Sequence, residues 1–265
     1  MKLAVFRVGL GCAFLHICTE GDAGPQSSQV HAFPERVWRH RQPLAGGAVF
    51  AATVVGPDER IYVITGSIGD TGRLTSRNSA YDPLRDTWTR LAPIPTPRSE
   101  PGAALGPGGQ IYVIGGNPTL SRKHSSRMNV AEVYDTATDR WTSRKSMPTP
   151  RTALCAVAAA DASGHLLIYA IGGRNFDLPG NGLSVVEAYD ALVNSWTPKA
   201  PMPINLHAMT ATLGPDGKIY VLGGTNSKKD DVNLVQTYDP ITDHWTQPTV
   251  MPYGQECACS TYLFS

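Results

Sequence analysis

No apolar run in this chain is long enough to cross a bilayer as a helix. The longest candidate, residues 8–18, has eleven residues, where a span needs roughly 20. Charge of one sign is missing too. Lys and Arg number 23 against 22 Asp and Glu, a formal net charge of +1, so no global field draws nucleic acid. No basic run or RNA-binding aromatic motif makes up for it. Cysteine is scarce, with Cys12, Cys18, Cys155, Cys257 and Cys259 and no partner His or Cys at zinc-like spacing. The seven histidines are scattered without a pair at ligand spacing, so neither a metal nor another cofactor is expected. No Ser or Cys nucleophile finds a triad. Helical periodicity is absent from residues 31–265.

What the chain does have is one phrase, four times: Ile61-Tyr-Val-Ile-Thr-Gly66, Ile111-Tyr-Val-Ile-Gly-Gly116, Ile168-Tyr-Ala-Ile-Gly-Gly173 and Ile219-Tyr-Val-Leu-Gly-Gly224. A Tyr-Asp pair follows each (Tyr81-Asp82, Tyr134-Asp135, Tyr189-Asp190, Tyr238-Asp239), and seven residues after each Tyr stands a Trp: Trp88, Trp141, Trp196, Trp245. The Trp-to-Trp steps are 53, 55 and 49. A period near fifty means an array of supersecondary units. Each unit holds four short runs rich in Val, Ile, Tyr and Trp, cut by Gly and Pro, which read as strands. No phosphate-loop glycine pattern or helix follows the double glycines. Four-stranded sheets packed around an axis make an all-β propeller. Tyr and Trp would fill the wedges between sheets, burying roughly 150–250 Å² each.

These motifs, with the Met-Pro ends at Met147-Pro148, Met202-Pro203 and Met251-Pro252, resemble the kelch family over roughly residues 37–262. The first copy departs from the pattern, with Thr65-Gly66 in place of the double glycine. Five blades are expected, the last formed by both chain ends. Val37–Leu44 would be its outer strand and Glu256–Phe264 its inner one. Three accounts of that blade stay open: a thin natural closing blade, a fragment of a longer propeller, or missing strands supplied by Leu3–Phe6 and Gln29–Phe33. Residues 1–23 resemble a secretory leader, with a basic start and a small-residue end; the alternative is an N-terminal strand. Residues 24–36 are then a linker or a closing-blade strand, and 37–265 the propeller. Export to a secreted or periplasmic location is expected, with the cytoplasm as the alternative.

Strand order places the long loops after each double glycine and the segments after each Met-Pro on one rim, where function tends to sit. That rim gathers ten basic against six acidic residues, in a chain whose net charge is only +1. Arg73, Arg77, Arg122, Arg127 and Arg174 lie on it. Arg98 and Arg151 take equivalent places just before the inner strands; the kelch resemblance implies that such arginines contact acidic ligand groups, for which a guanidinium fork is suited. A solvated arginine, or a bridge to Glu100, is the bland alternative. Glu100, Thr152, His207 and Glu256 would point at the channel mouth. The expected role is binding of a protein or peptide, or of an anionic glycan, at this basic face, with no catalysis. The alternative is an exported sugar-acting enzyme resembling the sialic-acid epimerases, with acid and base drawn from His207, Glu100 and Glu256.

Overall fold

The alternation within each repeat folds as one small sheet. The computed structural model describes residues 40–68, 73–119, 128–177, 182–228 and 230–251. Blade 1 comprises Ala52–Val55, Ile61–Ile64, Asn78–Asp82 and Thr87–Arg90. Blade 2 comprises Gly102–Leu105, Gln110–Ile114, Ala131–Asp135 and Arg140–Arg144. Blade 3 has Cys155–Ala160, Leu166–Ile171, Val186–Asp190 and Ser195–Lys199. Blade 4 has Thr210–Leu213, Ile219–Leu222, Leu234–Asp239 and His244–Val250. Every blade is antiparallel with its strands in chain order, and the first strands of successive blades touch one another around the axis. The fold is the expected all-β propeller.

The repeated aromatics join blade to blade. Within each blade the third-strand Tyr stacks on the outer-strand Trp, with centroids 5.0–5.1 Å apart. The same Tyr meets the second-strand Tyr of the preceding blade: Tyr62 with Tyr134 at 6.0 Å, Tyr112 with Tyr189 at 5.9 Å and Tyr169 with Tyr238 at 5.6 Å. Tilted rings at these separations gain quadrupolar attraction beyond their area.

A polar bracket completes each joint. Tyr134 donates its hydroxyl to Asp139 at 2.6 Å, and the same carboxylate oxygen accepts the Ala92 N–H of the preceding blade at 2.8 Å. Trp141 Nε1 donates to the Ala92 carbonyl at 2.9 Å. Both backbone groups of Ala92 are thus held by one neighbour. Lys145 is held the same way by Asn194 and Trp196, and Ala200 by Asp243 and Trp245. Asp139 has φ 53°, a left-handed conformation that Asn and Asp tolerate better than most residues. Asp139→Ala is expected to cost about 1–3 kcal/mol, since it orphans two donors and keeps the strain. Asp139→Asn should cost much less, because blade 3 already uses Asn194. Urea unfolding of both variants checks this, and equal losses would count against the bracket.

Gln42 extends the pattern backward. Its N–H donates to Asp86 at 2.9 Å and its carbonyl accepts from Trp88 at 2.8 Å. Gln42 therefore stands to blade 1 as the end of an outer strand stands to the next blade, in the place expected of residues 37–44. The remainder of the expected fifth blade, the leader at 1–23 and the segment 24–36 lie outside the described residues.

Thr65, the departure from the double glycine, has φ 56° where Gly115, Gly172 and Gly223 have 64°, 57° and 62°. A side chain there is strained, and hydrogen bonds offset the strain. Thr65 Oγ1 donates to the Arg98 carbonyl at 2.6 Å and accepts the Arg98 N–H at 2.8 Å. The hydroxyl ties blade 1 to the segment that opens blade 2.

Candidate binding site at the channel mouth

Four equivalent bridges define one end of the channel. The segment entering each inner strand pairs with the segment leaving the second strand: Val49 with Ser67, Ser99 with Asn117, Thr152 with Arg174, and His207 with Thr225. The post-Met-Pro segments and the starts of the long loops therefore share a rim, as the strand order requires. The next residue in each blade, Phe50, Glu100, Ala153 or Ala208, has φ between 51° and 56°. These residues form a relay around the mouth. Glu100 N–H donates to the Phe50 carbonyl at 2.8 Å, Ala153 N–H to that of Glu100 at 2.9 Å, and Ala208 N–H to that of Ala153 at 2.9 Å.

The backbone repeats while the side chains on it differ. Phe50 is 44% exposed. Glu100 accepts from Arg174 Nη2 at 3.1 Å on both carboxylate oxygens and from Thr152 Oγ1 at 2.9 Å. Arg174 also lies over the Phe176 ring, 5.1 Å from its centroid, an arrangement that favours the cation. His207 is only 6% exposed. Burial, and after it the Arg174 charge, pushes its imidazole down to about 4, with Glu100 acting in the opposite direction. The ring is neutral at pH 7. Glu100, Thr152, Arg174 and His207, drawn from blades 2, 3 and 4, thus converge on one cluster.

Two of the expected rim arginines are not at the surface. Arg98 and Arg151 are both 0% exposed. Arg98 Nη1 donates to Glu132 at 2.5 Å and to the Thr96 carbonyl at 2.8 Å, while Nη2 donates to the Val113 carbonyl at 3.0 Å. Arg151 repeats the arrangement on Glu187, the Thr149 carbonyl and the Ala170 carbonyl. Burial lowers both guanidinium pKa values, and the paired carboxylates oppose that. The reason lies in how each blade folds back on itself. The left-handed residue two positions on sends the chain into the inner strand, and the fork turns back under its own blade toward the third strand. Each fork is committed to its own blade rather than offered to a ligand. Sequence reasoning missed Glu132 and Glu187 as the partners.

Positive charge is tied down elsewhere as well. Arg77 Nη1 donates to the Ala45 and Gly47 carbonyls at 2.6 and 3.1 Å. Arg73 is exposed in the two-residue strand Arg73–Leu74, paired with Ser67–Ile68. Among the described residues the charge count of the rim therefore overstates the basic surface it exposes, since Arg98 and Arg151 are buried. Arg122, Arg127 and Glu256 lie outside the described residues. Among the described residues no group of His, Cys, Asp and Glu is placed to hold a metal ion, and no helix is long and apolar enough to cross a membrane. Phe50 escaped sequence reasoning, although its place fifty residues before Glu100 could have flagged it.

Comparison with known proteins agrees with this architecture. A domain family described as "KLHDC2/KLHL20/DRC7 Kelch-repeats domain" matches residues 49–262. Kelch-like protein 35 of Mus musculus is 29% identical over 202 residues, covering 76% of this chain and 29% of that protein. Kelch repeat and BTB domain-containing protein 8 of Homo sapiens is 33% identical over 140 residues, 51% of this chain and 22% of the relative. The chain thus spans less than a third of the length of either relative. The solved structure titled "Structure of YjhT" superposes with a TM-score of 0.67 at 16% identity, over 85% of this chain and 77% of the other, a likeness of fold. With the repeated Tyr-Asp and Trp positions filling the same places in every blade, the chain belongs to the kelch-repeat family.

Proposed function

We propose that this propeller is a binding module that engages a protein or peptide segment at its channel mouth and carries out no chemistry there. Its kelch-repeat relatives support a binding role. The observation that carries the proposal is the contrast at the four bridges. One backbone frame recurs blade after blade, yet it presents Val49 and Phe50, then Ser99 and Glu100, then Thr152 with Arg174, then His207. Variable side chains on a rigid ring are the arrangement a recognition surface needs. The state of the two candidate proton carriers among the described residues, of the three named, supports binding over a sugar-acting enzyme. Glu100 is engaged by Arg174 and Thr152, and an imidazole titrating near 4 is a weak base at neutral pH.

Phe50→Ser combined with Arg174→Ala should weaken a captured partner about tenfold or more, the loss of two contacts of hot-spot type. Changing Leu192 and Val193, exposed at the opposite end of blade 3, to Ser should leave binding as it was. Titration calorimetry with the partner recovered by crosslinking to the intact chain reads both. Loss of binding in the Leu192 and Val193 variant alone would place the site at the other end and overturn the proposal.

A further inference from the structure

Each blade ends in an outer strand, and the four outer strands are not equally protected. Ser195–Lys199 carries Pro198 directly opposite Glu187, and His244–Val250 carries Pro248. Proline removes a donor that an incoming strand would need. Thr87–Arg90 has four residues and one cation. Arg140–Arg144 of blade 2 has five residues, no proline, and nothing beyond it in its sheet. Ser143 lies opposite Glu132, the place that Pro198 holds opposite Glu187. A proline fits a ladder only where the N–H points away from the partner strand, so the Ser143 N–H points outward. By the alternation of an antiparallel pair, the Trp141 N–H does so too.

Charge defines what this edge accepts. Arg140, Thr142 and Arg144 alternate onto one face of the strand, with Arg140 and Thr142 exposed and Arg144 half-buried. Among the described residues neither arginine makes an ion pair, and Arg144 Nε has no hydrogen-bond partner. The acids of the adjoining strand are committed elsewhere: Asp135, opposite Arg140, accepts the Ala137 and Thr138 amides, and Glu132 holds Arg98. Lys145 adds a third exposed cation. Its backbone is clamped by Asn194 and Trp196 of blade 3, which stops the edge after about five residues. Like charges repel a second copy of this strand, while an acidic strand is attracted. We infer that the outer edge of blade 2 is a second docking surface, which adds an extended acidic peptide as a fifth strand. The two guanidinium groups stand roughly 13 Å apart along the strand, so they match carboxylates four residues apart, on one face of the peptide.

The test uses the intact chain and a capped seven-residue peptide of threonine and valine with glutamates at its second and sixth positions. Binding should be saturable and should slow hydrogen exchange at the Trp141 and Ser143 amides. A peptide with glutamates at the second and fifth positions splits its acids between faces and should bind about fivefold more weakly. One with lysines at the second and sixth positions should bind at least about tenfold more weakly. Ser143→Pro copies what blade 3 already carries at this place, and should weaken the first peptide about fivefold by removing one backbone bond. If that variant does not fold, Arg140→Ser with Arg144→Ser should abolish the preference for glutamate over lysine. No saturable binding, equal affinity for the two glutamate peptides, unchanged amide exchange or an unaltered affinity in Ser143→Pro overturns the inference. None of these residues lies at the channel mouth, so Phe50→Ser with Arg174→Ala should leave peptide addition as it was. An inert edge beside a mouth that still binds would remove only this inference.

Discussion

Glu187→Ala is expected to destabilise the protein by about 3–5 kcal/mol, the cost of leaving a buried charge without its partner. Arg151 is fully buried and has two carbonyls besides Glu187, and neither can neutralise it. Thr149 Oγ1, which donates to Glu187 at 2.8 Å, is orphaned by the same change. Restoring a match should recover most of the loss. Blade 4 shows how: Leu206 stands where Arg151 does, and Gln236, standing where Glu187 does, accepts the Ile204 N–H at 3.1 Å. Arg151→Leu with Glu187→Gln should therefore be far more stable than Glu187→Ala. Replacing a buried pair by packed neutral groups is often close to neutral. Urea unfolding of the three proteins decides it. A loss under about 1 kcal/mol for Glu187→Ala would mean the pair is hydrated in solution.

Trp245→Ala should cost a similar amount, about 3–5 kcal/mol, as for other large buried aromatics. Trp245 is 8% exposed, the Tyr238 ring lies 5.0 Å away, and its indole N–H donates to Ala200 at 2.8 Å. Trp88, Trp141 and Trp196 make the same bond but are less deeply covered. Trp245→Phe separates the two contributions. It keeps an aromatic plate and removes the donor, so it should cost about 1 kcal/mol beyond the lost volume. Thermal unfolding of the two variants would contradict the joint if Ala and Phe behaved alike.

The blades were legible because each contact that builds them is local or repeats. Tyr134 and Trp141 are cross-strand partners in the same hairpin, so their spacing carries the geometry. The rim was legible as a location, since strand order alone sends Thr152 and Arg174 to one end. The direction of Arg98 and Arg151 was not, because it depends on third-strand residues more than thirty positions away. A signal did exist. Glu132 and Glu187 occur only in the two blades that carry the arginines, whereas Ala48 goes with Ser79 and Leu206 with Gln236. Reading the repeats against each other, position by position, pairs them.

The relay from Phe50 through Glu100 and Ala153 to Ala208 couples the blades at their shared centre. Each amide in it leans on the carbonyl before it, so moving one blade outward stretches its neighbour's bond as well. Whatever presses on Glu100 is felt at Ala153 without passing through any side chain. A visitor to this opening meets a stiff collar, and selectivity rests on what the collar displays rather than on how it bends.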